Sequence, residues 1–143
     1  MTTPASPAAA TELAEVRTVA DAVAWLDQRA TAYMAEAEHE PSPDKARGLR
    51  LAGSTLEVVA EVSRWWRDDV IAAEGLTCLA RGYPSAEIAE LPPKMRYYQL
   101  ACELIGESLG QVAAQLTRAT APQRAKRAAV EASQRPDVQG RNL

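Results

Sequence analysis

The chain has 143 residues and a formal net charge of −3, enough length for one domain with a modest core. Its two cysteines, Cys78 and Cys102, form no CxxC pattern, so neither a disulfide scaffold nor a cysteine zinc site is implied. No apolar run nears the roughly 20 residues of a membrane span, and no basic segment followed by an apolar one opens the chain, so the expectation is a cytoplasmic protein with reduced thiols and no membrane contact.

Alanine makes up about a fifth of the chain and Phe is absent. Alanine loses no side-chain entropy in a helix, so this composition favours an all-α fold. Arginine far outnumbers lysine, which with the alanine excess suggests a GC-rich coding genome, that of a bacterium or its phage.

Residues 1–10 are rich in Thr, Pro and Ala and read as a disordered N-terminus. Thr18 with Asp21 fits a capping box for a first long helix, and Pro41 sets its end near Glu40. Apolar side chains recur along it at Val16, Val19, Val23, Leu26, Ala30, Tyr33 and Ala37. Steps of three and four residues place them on one helical stripe, whereas a strand would need period two.

Ser42-Pro43-Asp44 is a restart signal, with Ser at the N-cap, Pro at the first helical position and an acid at the positive end of the dipole. The second stripe runs through Leu49, Ala52, Leu56, Val59, Ser63, Trp66, Val70 and Ala73, predicting one helix to about Glu74 with Gly75 as its stop. Val58, Val62 and Trp65 add a further, rotated stripe, which predicts contact on two sides and a central place for this helix.

Gly82-Tyr83-Pro84 reads as a turn, and Ser85 can cap a short connector helix ending at Leu91. Pro92-Pro93 then opens a third long helix, striped by Met95, Tyr98, Cys102, Ile105, Leu109, Val112 and Leu116, and reaching about Thr120. Past Pro122 a weak, alanine-lined helix over 123–133 is expected to fray or to order on a partner.

The predicted fold is an all-α antiparallel bundle of three long helices plus a short connector helix. The bundle occupies residues 11–120 and is followed by a basic, weakly helical or disordered tail over 121–143. Because Ala and Tyr occupy several core positions, a homodimer completing the core is expected.

The sequence points away from catalysis. Glu36-x-x-His39 has the spacing of half a di-iron site, and Glu57/Glu61 and Glu103/Glu107 are i, i+4 carboxylate pairs. Such a site needs two Glu-x-x-His motifs, and the chain has one histidine. The heptad phase also turns those acids outward. A Cys–His pair would need Cys78 or Cys102 with His39, and Cys102 lies on a core stripe. No cofactor or metal ligand set is expected.

Partner contacts are expected instead. Trp25 lies off the main stripe, and an exposed tryptophan marks an interface. Gly106 and Gly110 allow close approach of another backbone. These three residues form the candidate interface of a non-catalytic helical interaction protein, an adaptor or assembly component.

The segment Leu79-Ala80-Arg81-Gly82-Tyr83-Pro84-Ser85-Ala86-Glu87-Ile88-Ala89-Glu90-Leu91 resembles the first part of a regulator-type helix-turn-helix. It departs from the motif at Pro92-Pro93, where an apolar residue and a glycine are usual. The resemblance implies DNA binding around 79–99, with Lys94, Arg96, Tyr97 and Gln99 as contacts. From Arg118 onward six basic residues stand against Glu131 and Asp137. Arg118, Arg124, Lys126 and Arg127 would then contact phosphates. The alternative function is therefore a small DNA-binding regulator.

Overall fold

The computed structural model describes residues 11–83 and 95–134, and every regular element among them is helical. A single 3-10 turn, Leu13–Glu15, precedes five α-helices. These are α1 (Val19–His39), α2 (Pro43–Ser63), α3 (Asp69–Arg81), α4 (Arg96–Ala119) and α5 (Ala121–Ser133). The predicted connector helix over 85–91 lies outside the described residues.

The local start signals act as their chemistry requires. Thr18 Oγ1 accepts the Asp21 N–H and the Asp21 carboxylate accepts the Thr18 N–H, closing a capping box at α1. Ser42 caps α2 with Pro43 at the first helical position.

The second long helix corrects the sequence reading, because Arg64–Asp68 divides it into α2 and α3. Ser63 donates its hydroxyl back to Val59 O at 2.6 Å, and Trp65 and Trp66 close i→i+3 turns onto Val62 O and Ser63 O. Asp68 then caps a new helix, accepting the Val70 and Ile71 amides at 2.8 and 3.1 Å. Gly75 is not a stop but a seat inside α3. A Cβ there would stand 2.7 Å from the Trp66 ring, so glycine lets the turn fold its indole against the helix.

Contacts set the helix directions. Gly53 of α2 faces Ala30 and Met34, and Arg64 pairs with Asp27 at 2.6 Å, so α1 and α2 run antiparallel. Tyr33 shares a buried 3.1 Å hydrogen bond with Ser108, and Arg29 reaches Gln111, so α1 and α4 are also antiparallel. It follows that α2 and α4 lie side by side in the same direction. They meet closely, since a Cβ on Gly48 would stand 2.7 Å from Tyr97 O. The far flank of α4 is covered by α3, antiparallel to it, with Gly106 under Tyr83.

One core results. Val23, Leu26, Leu56, Val59, Ile105, Leu109 and Val112 are buried in a single cluster, and Trp66 packs on its edge. Val16 is fully buried although it lies outside α1. Gln115 donates to Val16 O at 3.1 Å and holds that segment across the α1–α4 groove. On the third stripe, Cys102 through Leu116 are buried, Met95 is half-buried and Tyr98 is exposed.

Leu109→Ala should cost about 2–5 kcal/mol in urea denaturation, the range for a fully buried large-to-small change. The glycines give a sharper test of packing. Gly110 has nothing within 4 Å of a built Cβ, whereas Gly48 abuts a backbone carbonyl. Gly110→Ala should therefore stabilise by up to about 1 kcal/mol through helix propensity. Gly48→Ala should destabilise despite the same propensity gain.

Candidate functional site

Three of the exposed large apolar side chains among the described residues stand close in sequence at the end of α2 and in the turn after it. At 100° per residue the core arc of this helix centres on Leu49, Leu56 and Ser63. Val58 falls about half a turn away with Val62 beside it, and Trp65 follows in the turn after the helix ends at Ser63. Val58 is 62% exposed, Val62 49% and Trp65 79%. Leu51 and Thr55 precede them, so positions 51, 55, 58 and 62 of α2 repeat the alternating four–three spacing of a coiled-coil seam, with Trp65 in the turn just past its end. Leu51 and Thr55 are half-buried, which makes the C-terminal half of the seam the open part.

This overturns one expectation of burial and removes one of exposure. The rotated stripe does not make the second contact of α2; Gly48, packed against α4, does. Trp65 is therefore outside, and Trp25 is inside at 8% exposure. Residues Thr11–Leu13 lie beside Trp25, and the Arg29 guanidinium carbon sits 5.2 Å from its ring centre. The exposure on which the interface reading of Trp25 rested is absent. A heptad position describes only the helices of the bundle, and the covering segment lies outside them.

Gly106 is occupied by Tyr83 of the same chain. Gly110 opens into a groove of about 400 Å³ between α3 and α4, together with Thr77, Ala80 and Ala114. Trp25, Gly106 and Gly110 thus do not share one exposed face.

The residues assigned to nucleic acid are dispersed. Lys94 lies outside the described residues. Arg96 is exposed and Gln99 half-buried, while Tyr97 lies under Arg47, whose guanidinium carbon is 4.2 Å from the ring centre. Arg118 donates to Gln115 at 3.0 Å, and Arg124 donates to Thr120 at 3.0 Å and to Thr117 O. Arg127 forms a two-point pair with Asp68. Lys126 is exposed.

Catalytic geometry is not assembled by these residues. Glu36, His39, Glu57, Glu61, Glu103 and Glu107 are exposed, and no three metal-ligating side chains converge among the described residues. Cys102 is buried, and burial pushes its thiol up, away from the thiolate a nucleophile needs. No helix among the described residues is long and apolar enough to cross a membrane. No protein-family model, curated protein or solved structure matches the chain.

Asp68 is a junction the sequence reading missed. It caps α3 and also holds α5, which buries no side chain of its own. The neighbouring Asp69 accepts the Val19 N–H at 2.8 Å, tying the start of α1 to the start of α3. The Arg127 guanidinium, with help from the Ile71 and Val70 amides, holds the Asp68 carboxyl below its usual range. An Asp-Asp pair after a tryptophan pair was a readable cap signal, but the stripe running through it concealed the break.

A depressed carboxylate value stabilises the folded form above the ordinary value of 3.8 and loses that contribution as pH falls through the depressed value. Protection of the 121–133 amides, taken relative to the intrinsic exchange rate at each pH, should therefore fall upon acidification through that range. Arg127→Ala should produce fast exchange already at neutral pH, while the urea midpoint of the bundle stays nearly unchanged.

Proposed function

We propose that this protein is a non-catalytic helical interaction protein, an adaptor or assembly component, that receives an apolar helix of a protein partner along the outer face of α2. The observation that carries this reading is Trp65, 79% exposed at the end of the Val58–Val62 stripe. Tryptophan leaves water at a large gain, and isolated soluble domains seldom present it bare beside two valines. The four–three spacing fits a partner helix better than a strand or a loop, because it matches knobs-into-holes packing. Burying the exposed halves of Val58 and Val62 would contribute about 1–1.5 kcal/mol each before ordering costs. A second copy of the chain is one form such a partner takes.

Nucleic acid is the less supported partner. Arg118, Arg124 and Arg127 already hold acceptors of their own chain. A basic tail engaged in this way supports at most salt-sensitive, sequence-independent binding.

A photo-crosslinking residue placed at position 65 tests the proposal in host cells, with position 38 on the polar face of α1 as control. The expected result is a discrete protein adduct from position 65, absent from position 38 and lost with Val62→Asp. Light scattering on the purified protein shows whether the adduct is a second copy. No adduct from position 65, together with a monomer at micromolar concentration, would reject the reading.

A further inference from the structure

Among the described residues Arg29 forms no ion pair. It projects from α1 into a cleft of about 450 Å³ between the N-terminal segment, α1 and α4, and Thr11, Glu12, Trp25, Gln28 and Gln111 line that cleft with it. The guanidinium is partly withdrawn from water. Its central carbon lies 5.2 Å from the Trp25 ring centre and 5.7 Å from that of Tyr33. Two aromatic faces thus hold the plane of the fork in place. Of its five N–H donors, one meets a protein acceptor, Gln111 Oε1, at a long 3.4 Å. Nε is buried without a hydrogen-bond partner, and among the described residues Arg29 pairs with no carboxylate.

A guanidinium partly withdrawn from water gains from an acid partner, because desolvation weakens the hydration of its charge. Here the surroundings fix its geometry and leave its charge unmatched. The neighbouring amides are arranged to hold the cleft rather than to fill it. Gln28 exchanges hydrogen bonds with Thr11, accepting its N–H at 2.8 Å and donating to its hydroxyl at 3.4 Å. Gln111 turns its oxygen to Arg29, and among the described residues its NH2 donates to no acceptor.

We infer that this cleft binds a carboxylate, received by the Arg29 fork and the Gln111 amide, with the apolar part of the ligand against the Trp25–Leu13 wall. The planar fork matches two carboxylate oxygens. Glu12 lines the same cleft without pairing to Arg29, and its charge opposes any anion there, a dianion more than a monoanion. The cleft volume fits a small molecule. The same chemistry is offered by a glutamate side chain of a partner protein. This site lies apart from the outer face of α2 and stands or falls independently of the proposed function.

The test is titration of the ¹⁵N-labelled full chain, following the Arg29 Nε–Hε resonance and, in wild type and variants alike, the Gln111 side-chain NH2 and Trp25 indole resonances of the same cleft, with butyrate, a short glutamate-containing peptide and inorganic phosphate in separate arms. The expected result is a saturable shift with butyrate. Arg29→Lys should weaken it about tenfold or more, the loss of one charge-assisted hydrogen bond. Arg29→Gln should abolish it, with circular dichroism confirming the fold. If that variant unfolds, the wild-type Nε shift, set against an unmoved Trp65 indole resonance, still decides. Saturation by the peptide and not by butyrate supports the carboxylate site and assigns it to a partner side chain. No saturable shift in any arm, undiminished binding by Arg29→Gln, or phosphate binding as tightly as butyrate would overturn the inference.

Discussion

The close approach of α2 to two helices at once is the constraint on which the rest of the structure depends. Gly53 lets it meet the backbone of α1 at Ala30, and Gly48 lets it meet that of α4 at Tyr97. Glycine costs helix stability, about 1 kcal/mol per position relative to alanine, so packing must more than offset two such positions. Once α2 is clasped on those sides, its third face points away from the core. Val58 and Val62 occupy that face, and Trp65 stands exposed in the turn that follows it. The exposed stripe follows from how the core closes, and it is the part of the molecule for which the fold has no internal use.

The rest of the bundle is held by a few well-placed polar groups. Tyr33 and Ser108 satisfy each other inside the α1–α4 contact, which would otherwise strand a hydroxyl. Gln115 and Gln28 fasten the segment before α1 over the groove, and that segment supplies Val16 to the core. Asp68 and Asp69 join the starts of α3 and α1 and carry α5 by one surface ion pair. Exposed pairs contribute little to global stability, so α5 is the element whose order depends most on conditions.

The heptad phase made most of this architecture legible. Every member of the first stripe is buried, as are the second stripe to Ser63 and the third from Cys102 to Leu116. Capping at Thr18 and Ser42 was equally plain. What escaped was tertiary. The break at Arg64–Asp68 preserves the three–four spacing through Trp66 and Val70, so periodicity alone could not reveal it. The exchange of roles between Trp25 and Trp65 has the same origin. A helical stripe tells which residues share a face, but not whether a neighbouring element covers it. Trp25 is covered by a segment outside the repeat, and Trp65 stands exposed in the turn after α2. Arg29 was invisible because its meaning rests on what does not pair with it.

The account turns on which tryptophan the isolated protein shows to solvent. Labelling with 5-fluorotryptophan gives one ¹⁹F line for each of Trp25, Trp65 and Trp66, assignable by single replacements. A soluble paramagnet and exchange of H2O for D2O then report the exposure of each ring in the intact chain. The account predicts that the Trp65 line broadens and shifts nearly as free fluorotryptophan does, while the Trp25 line is protected. A protected Trp65 beside an accessible Trp25 would contradict it.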